Sequence, residues 1–366
     1  MTLFVFLIIL SILIVVHEWG HFIIAKKCGV KVEQFSLGFG PKLFSRIWDG
    51  TEFCLCLIPL GGYVKMAGDD RSKATGNKEE FLSKPVGQKA LIVVMGPVVN
   101  HVLAYFCFWM VFVIGKIDLE ATAKRVPAIA AQILDNSPAS KAGIMINDKV
   151  ISIDNHPIAN WPDLQDYILQ SKTPTLKIFI NRHGETITKE IVPEYQIKKD
   201  IFGRDHKIRG IGIVARQEDK VIIRYGPLKS LWYAAKELGD ITIKTYVSLY
   251  EMVIGKRSPK EAMGILGMFS IIKDSLSVSF SFLLYIIGLI SASLALFNLL
   301  PIIPLDGGHL FLFLLEKIRG KALSHRIDEF ISKVGLTLIL TLALFIFYVD
   351  FERIGLIDHI MKIFRG

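Results

Sequence analysis

The chain has 366 residues, 52% of them hydrophobic, with a net charge of +9 and four cysteines. Several uninterrupted apolar runs in a chain of this length exclude a purely aqueous globule and put it in a membrane. The basic residues gather beside the apolar runs, which suits orientation in a lipid bilayer and speaks against nucleic acid as a partner. Cys28, Cys54, Cys56 and Cys107 are too scattered for a disulfide framework and read as packing residues.

Residues 1–25 form the first predicted span, and near its end stands His17-Glu18-Trp19-Gly20-His21. In a helix His17 and His21 lie one turn apart on one face, so both imidazoles reach a single Zn²⁺, with Glu18 beside the open side as a general base. Each ionisable group at bilayer depth costs about 2.5–3.5 kcal/mol, and a shared metal is the partner that offsets three of them together. The run lacks a basic leader and a small-residue cleavage site, so it is expected to be retained rather than removed as a signal peptide. Lys26, Lys27 and Lys31 follow it directly, which puts this end in the cytoplasm and the N-terminus outside.

Residues 30–66, within a cytoplasmic stretch 26–89, alternate with period two and carry a hairpin signal at Asp49-Gly50, predicting a small antiparallel sheet beside the membrane. Its strand 51–58, with Leu55 near the middle, is the expected edge for an extended substrate. Residues 68–89 are polar and predict a solvated loop. The second span, 90–115, opens on Gly96-Pro97 and contains Asn100 and His101. His101 is a candidate ligand but more naturally bonds a neighbour, and Asn100 suits a hydrogen bond across helices.

From 116 to 226 the composition is that of an extracytoplasmic soluble domain, with an amphipathic helix predicted over Trp161 to Gln170. Here Ser137-Pro138-Ala139, Ala142-Gly143-Ile144, Asn147-Asp148 and Ile151-Ser152-Ile153-Asp154 resemble a PDZ domain, a fold that adds peptide C-termini as an extra strand. Residues 227–274 predict amphipathic interfacial helices with Trp232, Tyr233, Tyr246 and Tyr250 at the outer leaflet. The third span, 275–305, ends in a segment broken by Pro301, Pro304, Gly307 and Gly308, from which Asp306 emerges. Residues 306–333 form a cytoplasmic loop rich in Lys and Arg, 334–350 a fourth span, and 351–366 an extracytoplasmic tail. A catalytic zinc site takes three protein ligands and leaves one position to water, so the helix pair of histidines needs a third. Asp306 is the expected one, with His309 as the competing ligand or as support for it.

With the histidine motif in a first span, Asn298 through His309 closing a third, and Ile58-Pro59-Leu60-Gly61-Gly62 and Gly96-Pro97-Val98-Val99-Asn100 between, the chain resembles the site-2 protease family of intramembrane metalloproteases, in its bacterial regulator-of-sigma-E form. The resemblance implies zinc held by His17, His21 and Asp306, Glu18 as base, Asn298 in contact with the substrate helix, and residues 30–66 as a membrane re-entrant β element. It further implies single-span membrane protein substrates, such as anti-sigma factors trimmed outside by an upstream protease or remnant signal peptides, and a bacterial inner membrane location. The fold expected is a polytopic helical membrane protein of four transmembrane helices with a small membrane-associated sheet and one inserted PDZ domain. One departure is Gly264-Ile265, where the family has Gly-Pro ahead of the third span. The alternative from another class is an inactive PDZ membrane adaptor with a structural metal site.

Overall fold

The computed structural model describes residues 2–70, 74–199, 205–216, 219–321 and 325–353. The chain clusters into two units, residues 1–114 with 225–366, and the insert 115–224. Among the described residues four helices are long and apolar enough to cross a membrane: Thr2–Lys27, Val86–Ile114, Phe280–Asn298 and Arg326–Glu352.

Helix α1 (Thr2–Lys27) is apolar throughout and ends where Gly29 takes a left-handed conformation, the usual stop for a helix whose last turn carries lysines. β1 (Val32–Trp48) and β2 (Thr51–Met66) follow, joined at Asp49 and Gly50, both with positive φ as a two-residue type I′ turn demands. Each strand folds over on itself. Residues 34–37 pair with 62–65 on one side and with 52–55 on the other, while 42–48 pair with 51–56. The segment containing Leu55 is therefore interior: Leu55 faces Leu37 on one flank and Phe44 on the other. This corrects the expectation that 51–58 offers an edge to substrate. The two edges are 62–66 and 42–48, and the latter exposes Leu43, Phe44, Ile47 and Trp48. All four cysteines are free thiols, with Cys54, Cys56 and Cys107 buried.

The polar stretch after β2 is less solvated than its composition predicts. Glu80 and Phe81 are buried, Glu80 accepting from the Thr75 and Gly76 amides, and Lys31 N–H donates to Glu79 O. Hydrogen bonds from Thr75 outweigh the cost of burial and hold the Glu80 carboxyl below its usual range. α2 (Val86–Ile114) begins four residues earlier than the apolar run, so that Lys89 lies inside the helix.

The insert enters on β3 (Lys116–Ile117), which pairs with Ile222–Ile223 near its exit, so the unit closes on itself. Asp118 caps α3 (Leu119–Arg125), Ser137 caps α4 (Pro138–Lys141) and Asn160 caps α5 (Trp161–Gln170) through side-chain oxygens. β4 (Ala130–Ile133) pairs with Ile213–Ala215. β5 (Lys149–Ile153), β6 (His156–Pro157), β7 (Leu176–Arg182) and β8 (Glu185–Ile191) form a sheet in the order β6-β5-β7-β8. Ile153, Leu164, Leu176, Ile178, Ile180 and Ile191 fill the core between this sheet and α5. Asp148, nearly inaccessible, is held by Arg182 at 2.7 Å and by the Met145 amide at 2.7 Å. Burial works against its ionisation, but these bonds prevail and keep its carboxyl below the usual range.

In the first unit the chain resumes as one helix, α6 (Pro227–Val253), whose Ala234 and Ile241 pack on Phe108 and Phe112 of α2. Trp232, Tyr246 and Tyr250 are exposed, whereas Tyr233 is stacked on Tyr225 at 4.0 Å and belongs to the packed face. The uncharged run read as one span, 275–305, starts in the last turn of α7 (Ile265–Val278) and continues as α8 (Phe280–Asn298), the two parted at Ser279, whose hydroxyl accepts from Phe282 N–H. No charge marks that break, which is why hydropathy runs through it. Asp350 accepts from the amides of Gly264, Leu266 and Gly267, anchoring the α7 N-terminus without the proline absent at Ile265.

The segment expected as a loop after Asp306 is in large part α9 (Asp306–Arg319), and α10 (His325–Arg353) starts nine residues ahead of the expected fourth span. Leu312, Phe313 and Glu316 of α9 are buried, and Glu316 meets Lys89 at 3.3 Å. The tail from residue 354 lies outside the described residues.

Candidate metal centre

α1 presents His17 and His21 on one face, both buried. They meet α2 at its narrowest side chain: a Cβ on Gly96 would strike His21 Nε2 and lie 2.5 Å from His21 Cε1 and 2.9 Å from His17 Cε1, and a Cβ on Gly20 would strike Met95 O. Two glycines thus let the helix backbones approach closely, the usual device for helix contacts in lipid.

Asp306 opens α9, where the helix N-terminus favours a carboxylate. Gly307 and Gly308 press against the backbone of Leu299, Leu300, Ile302 and Ile303, with no room for a Cβ. This close turn carries Asp306 to the histidines. Its Oδ2 lies 3.1 Å from His17 Nε2 and its Oδ1 3.5 Å from His21 Nε2, while the two Nε2 atoms are 3.2 Å apart. Among the described residues these three are the one group whose ligand atoms all fall within 4.8 Å of one another.

His21 Nδ1 is 2.9 Å from Ile92 O. A carbonyl only accepts, so Nδ1 carries the proton and Nε2 turns its lone pair to Asp306 and His17. Asp306 Oδ2 is buried without a hydrogen-bond donor. Two imidazole nitrogens and an orphan carboxylate oxygen converging on one point suit a divalent cation, and an N, N, O set with one open direction is the donor set of a catalytic zinc.

The open direction is a cavity of about 850 Å³ lined by Glu18, Gly62, Asn100, Asn298 and His309 among others. Glu18 accepts from the Val64 amide on the sheet edge. Asn298 Nδ2 lies 3.5 Å from His17 Nε2, so the asparagine that closes α8 reaches the centre. His309 lines the cavity outside the three-residue group. His101 bonds the Pro97 carbonyl on its own helix and is not one of that group. The contact of the 62–66 edge with Glu18 is not legible in the sequence, since alternation reveals a strand but not its partner.

The model of peptidase family M50 matches residues 5–342. A Campylobacter jejuni protein named as a zinc metalloprotease is 33% identical over 350 residues, covering 95% of this chain and 92% of its own. One of Mesorhizobium japonicum, similarly named, is 30% identical over 95% of this chain and 98% of its own. The regulator of sigma-E protease RseP of Salmonella typhimurium is 27% identical, with 95% of this chain and 98% of its own covered. A solved PDZ domain from Listeria monocytogenes is 23% identical, covers 24% of this chain and 84% of its own, and has a TM-score of 0.20.

Proposed function

Since the chain belongs to peptidase family M50, a family of membrane zinc metalloproteases to which its similarly named relatives attach it, we propose that it hydrolyses a peptide bond within or beside the membrane span of single-span proteins. The observation that carries this reading is the meeting of His17, His21 and Asp306 at the wall of a cavity that also holds Glu18. His17, His21 and Asp306 would hold the zinc, which when bound acidifies a water and polarises a carbonyl. Glu18 takes the proton from the attacking water and delivers it to the leaving nitrogen. The Asn298 amide donates to the substrate's carbonyl oxygen, for which its place beside His17 suits it. A structural metal site, as in the adaptor alternative, would close its fourth position with protein, whereas here that position faces the cavity.

A peptide bond in a helix is shielded by its own hydrogen bonds, so the substrate must unwind before it is cut. The 62–66 edge suits that task. Val64 N–H points to Glu18 and Met66 N–H to Asp69, so even-numbered positions turn their backbone groups away from β1. Gly62, together with the carbonyl of Val64, whose N–H is held by Glu18, is then what pairs with an unwound substrate by strand addition. We place the active site toward the cytoplasmic side of a bacterial inner membrane, and both termini and the insert outside, on the lysines that follow α1.

The insert, read as a PDZ domain from its motif, screens substrates by size: those trimmed outside by an upstream protease enter, and those with bulky outer domains do not. The test replaces residues 118–221 by a short Gly/Ser linker between β3 and its partner Ile222–Ile223, because a smaller excision would strip β4 from Ile213–Ala215. One single-span substrate is offered with and without its outer domain to both proteins in membranes. The expected result is that only the deleted protein cuts the untrimmed form and both cut the trimmed form. Loss of trimmed-substrate cleavage in a deletion that accumulates normally would reject a filter and favour docking of a fresh C-terminus. Failure of both proteins on either form would reject the proteolytic reading of these substrates.

A further inference from the structure

Asn100 is fully buried on α2, and its side chain stands at the back of His17, on the side away from Asp306. The amide atom assigned as Nδ2 is 3.5 Å from His17 Nδ1, at the limit of a hydrogen bond, while Oδ1 is buried with no donor. Amide nitrogen and oxygen are told apart only by their partners. Exchanging them sets Oδ1 against His17 Nδ1, which must then carry the proton. The orphan oxygen gains a donor, and His17 Nε2 keeps its lone pair free on the side of Asp306. His21 is already fixed in that tautomer by Ile92 O, on the same helix α2.

We propose that Asn100 is a positioning residue, whose Oδ1 accepts from His17 Nδ1–H and holds the ring in the tautomer and orientation that a metal ligand needs. This rests on the reading of His17 as a zinc ligand. α2 thereby supports both imidazoles, His21 through a backbone carbonyl and His17 through a side chain. Asn100 is itself held in place. Ser291 of α8, also fully buried, donates to the main-chain carbonyl of Asn100 at 2.8 Å, so the backbone that carries the support is tied to the helix that carries Asn298. A hydrogen-bonded support behind a metal-bound histidine commonly contributes about 10- to 100-fold to metal affinity.

The test is zinc affinity of the purified full chain by competition with a chelator, for the wild type, His17→Ala, Asn100→Leu and Asn100→Asp. Wild type should hold zinc and His17→Ala should release it, which secures the premise. Asn100→Leu, close in size but without an acceptor, should bind about 10- to 100-fold more weakly, and Asn100→Asp, which keeps an acceptor oxygen, at wild-type affinity. A purely structural role would not separate the two variants in this way. Zinc retained by His17→Ala would overturn the ligand reading and this inference with it. With the premise intact, wild-type affinity in Asn100→Leu, or a loss in Asn100→Asp as large as in Asn100→Leu, would overturn the inference alone. Should Asn100→Leu not accumulate, Asn100→Asp decides by itself: retention supports the acceptor role and loss overturns it.

Discussion

Glu18→Gln is expected to abolish cleavage while the protein keeps its zinc and its fold. The substitution leaves His17, His21 and Asp306 untouched and preserves the length of a side chain that reaches the Val64 amide, so neither the ligand group nor the edge strand loses a partner. The carbonyl oxygen of Gln accepts the Val64 bond as the carboxylate does, but it has no basicity with which to take a proton from water. A positioned general base contributes about 10²- to 10⁴-fold, and here one group serves both attack and departure, so the loss should lie at the upper end. Turnover of a single-span substrate by purified enzyme, with zinc measured on the same samples, is the readout. Residual activity within about tenfold of wild type would sink the base assignment.

Gly96→Ala is expected to be nearly as damaging, although it adds only one methyl group. The new Cβ would meet both imidazoles at once, 2.5 Å from His21 Cε1 and 2.9 Å from His17 Cε1. Neither ring can step aside without cost. His21 is bonded to Ile92 O one turn away on the same helix, and α1 cannot retreat freely while Gly20 sits against the Met95 carbonyl. The helices must therefore separate or the rings must leave the orientation that converges on Asp306. Zinc affinity should fall by at least tenfold and cleavage with it, in a protein that still inserts in the membrane. Gly87→Ala is the control, because a Cβ there meets nothing within 4 Å and alanine suits a helix better than glycine. Equal zinc binding in the Gly96 and Gly87 variants would contradict the packing account.

What sequence could reveal divides along physical lines. The i, i+4 spacing of His17 and His21, the apolar length of the spans, the Asp49-Gly50 turn and the limits of the Trp161–Gln170 helix are local properties, set by periodicity and capping within a few residues. The sheet was legible as strands but not as a register. The folding back of β1 and β2, with Gly38, Gly40 and Gly61 at positive φ, gives one strand two partners, and that moved the free edge from the segment of Leu55 to that of Gly62 and Val64. Lys89 looked like the end of a polar loop because Glu316, which meets it inside the protein, is 227 residues away. Likewise the environment of Asn100 depends on His17, 83 residues before it, and on Ser291, 191 residues after it. The break at Ser279 carries neither charge nor proline and left no mark in hydropathy.

The central claim is that Asp306 comes from a different helix to complete a metal site begun by His17 and His21, and zinc content of the purified Asp306→Ala protein tests it most directly. The wild type and Glu18→Gln should retain one zinc per chain after exchange against a mild chelator. Asp306→Ala, left with two nitrogen ligands, should fall well below that while accumulating in the membrane as the wild type does. A full complement of zinc in Asp306→Ala would contradict the account.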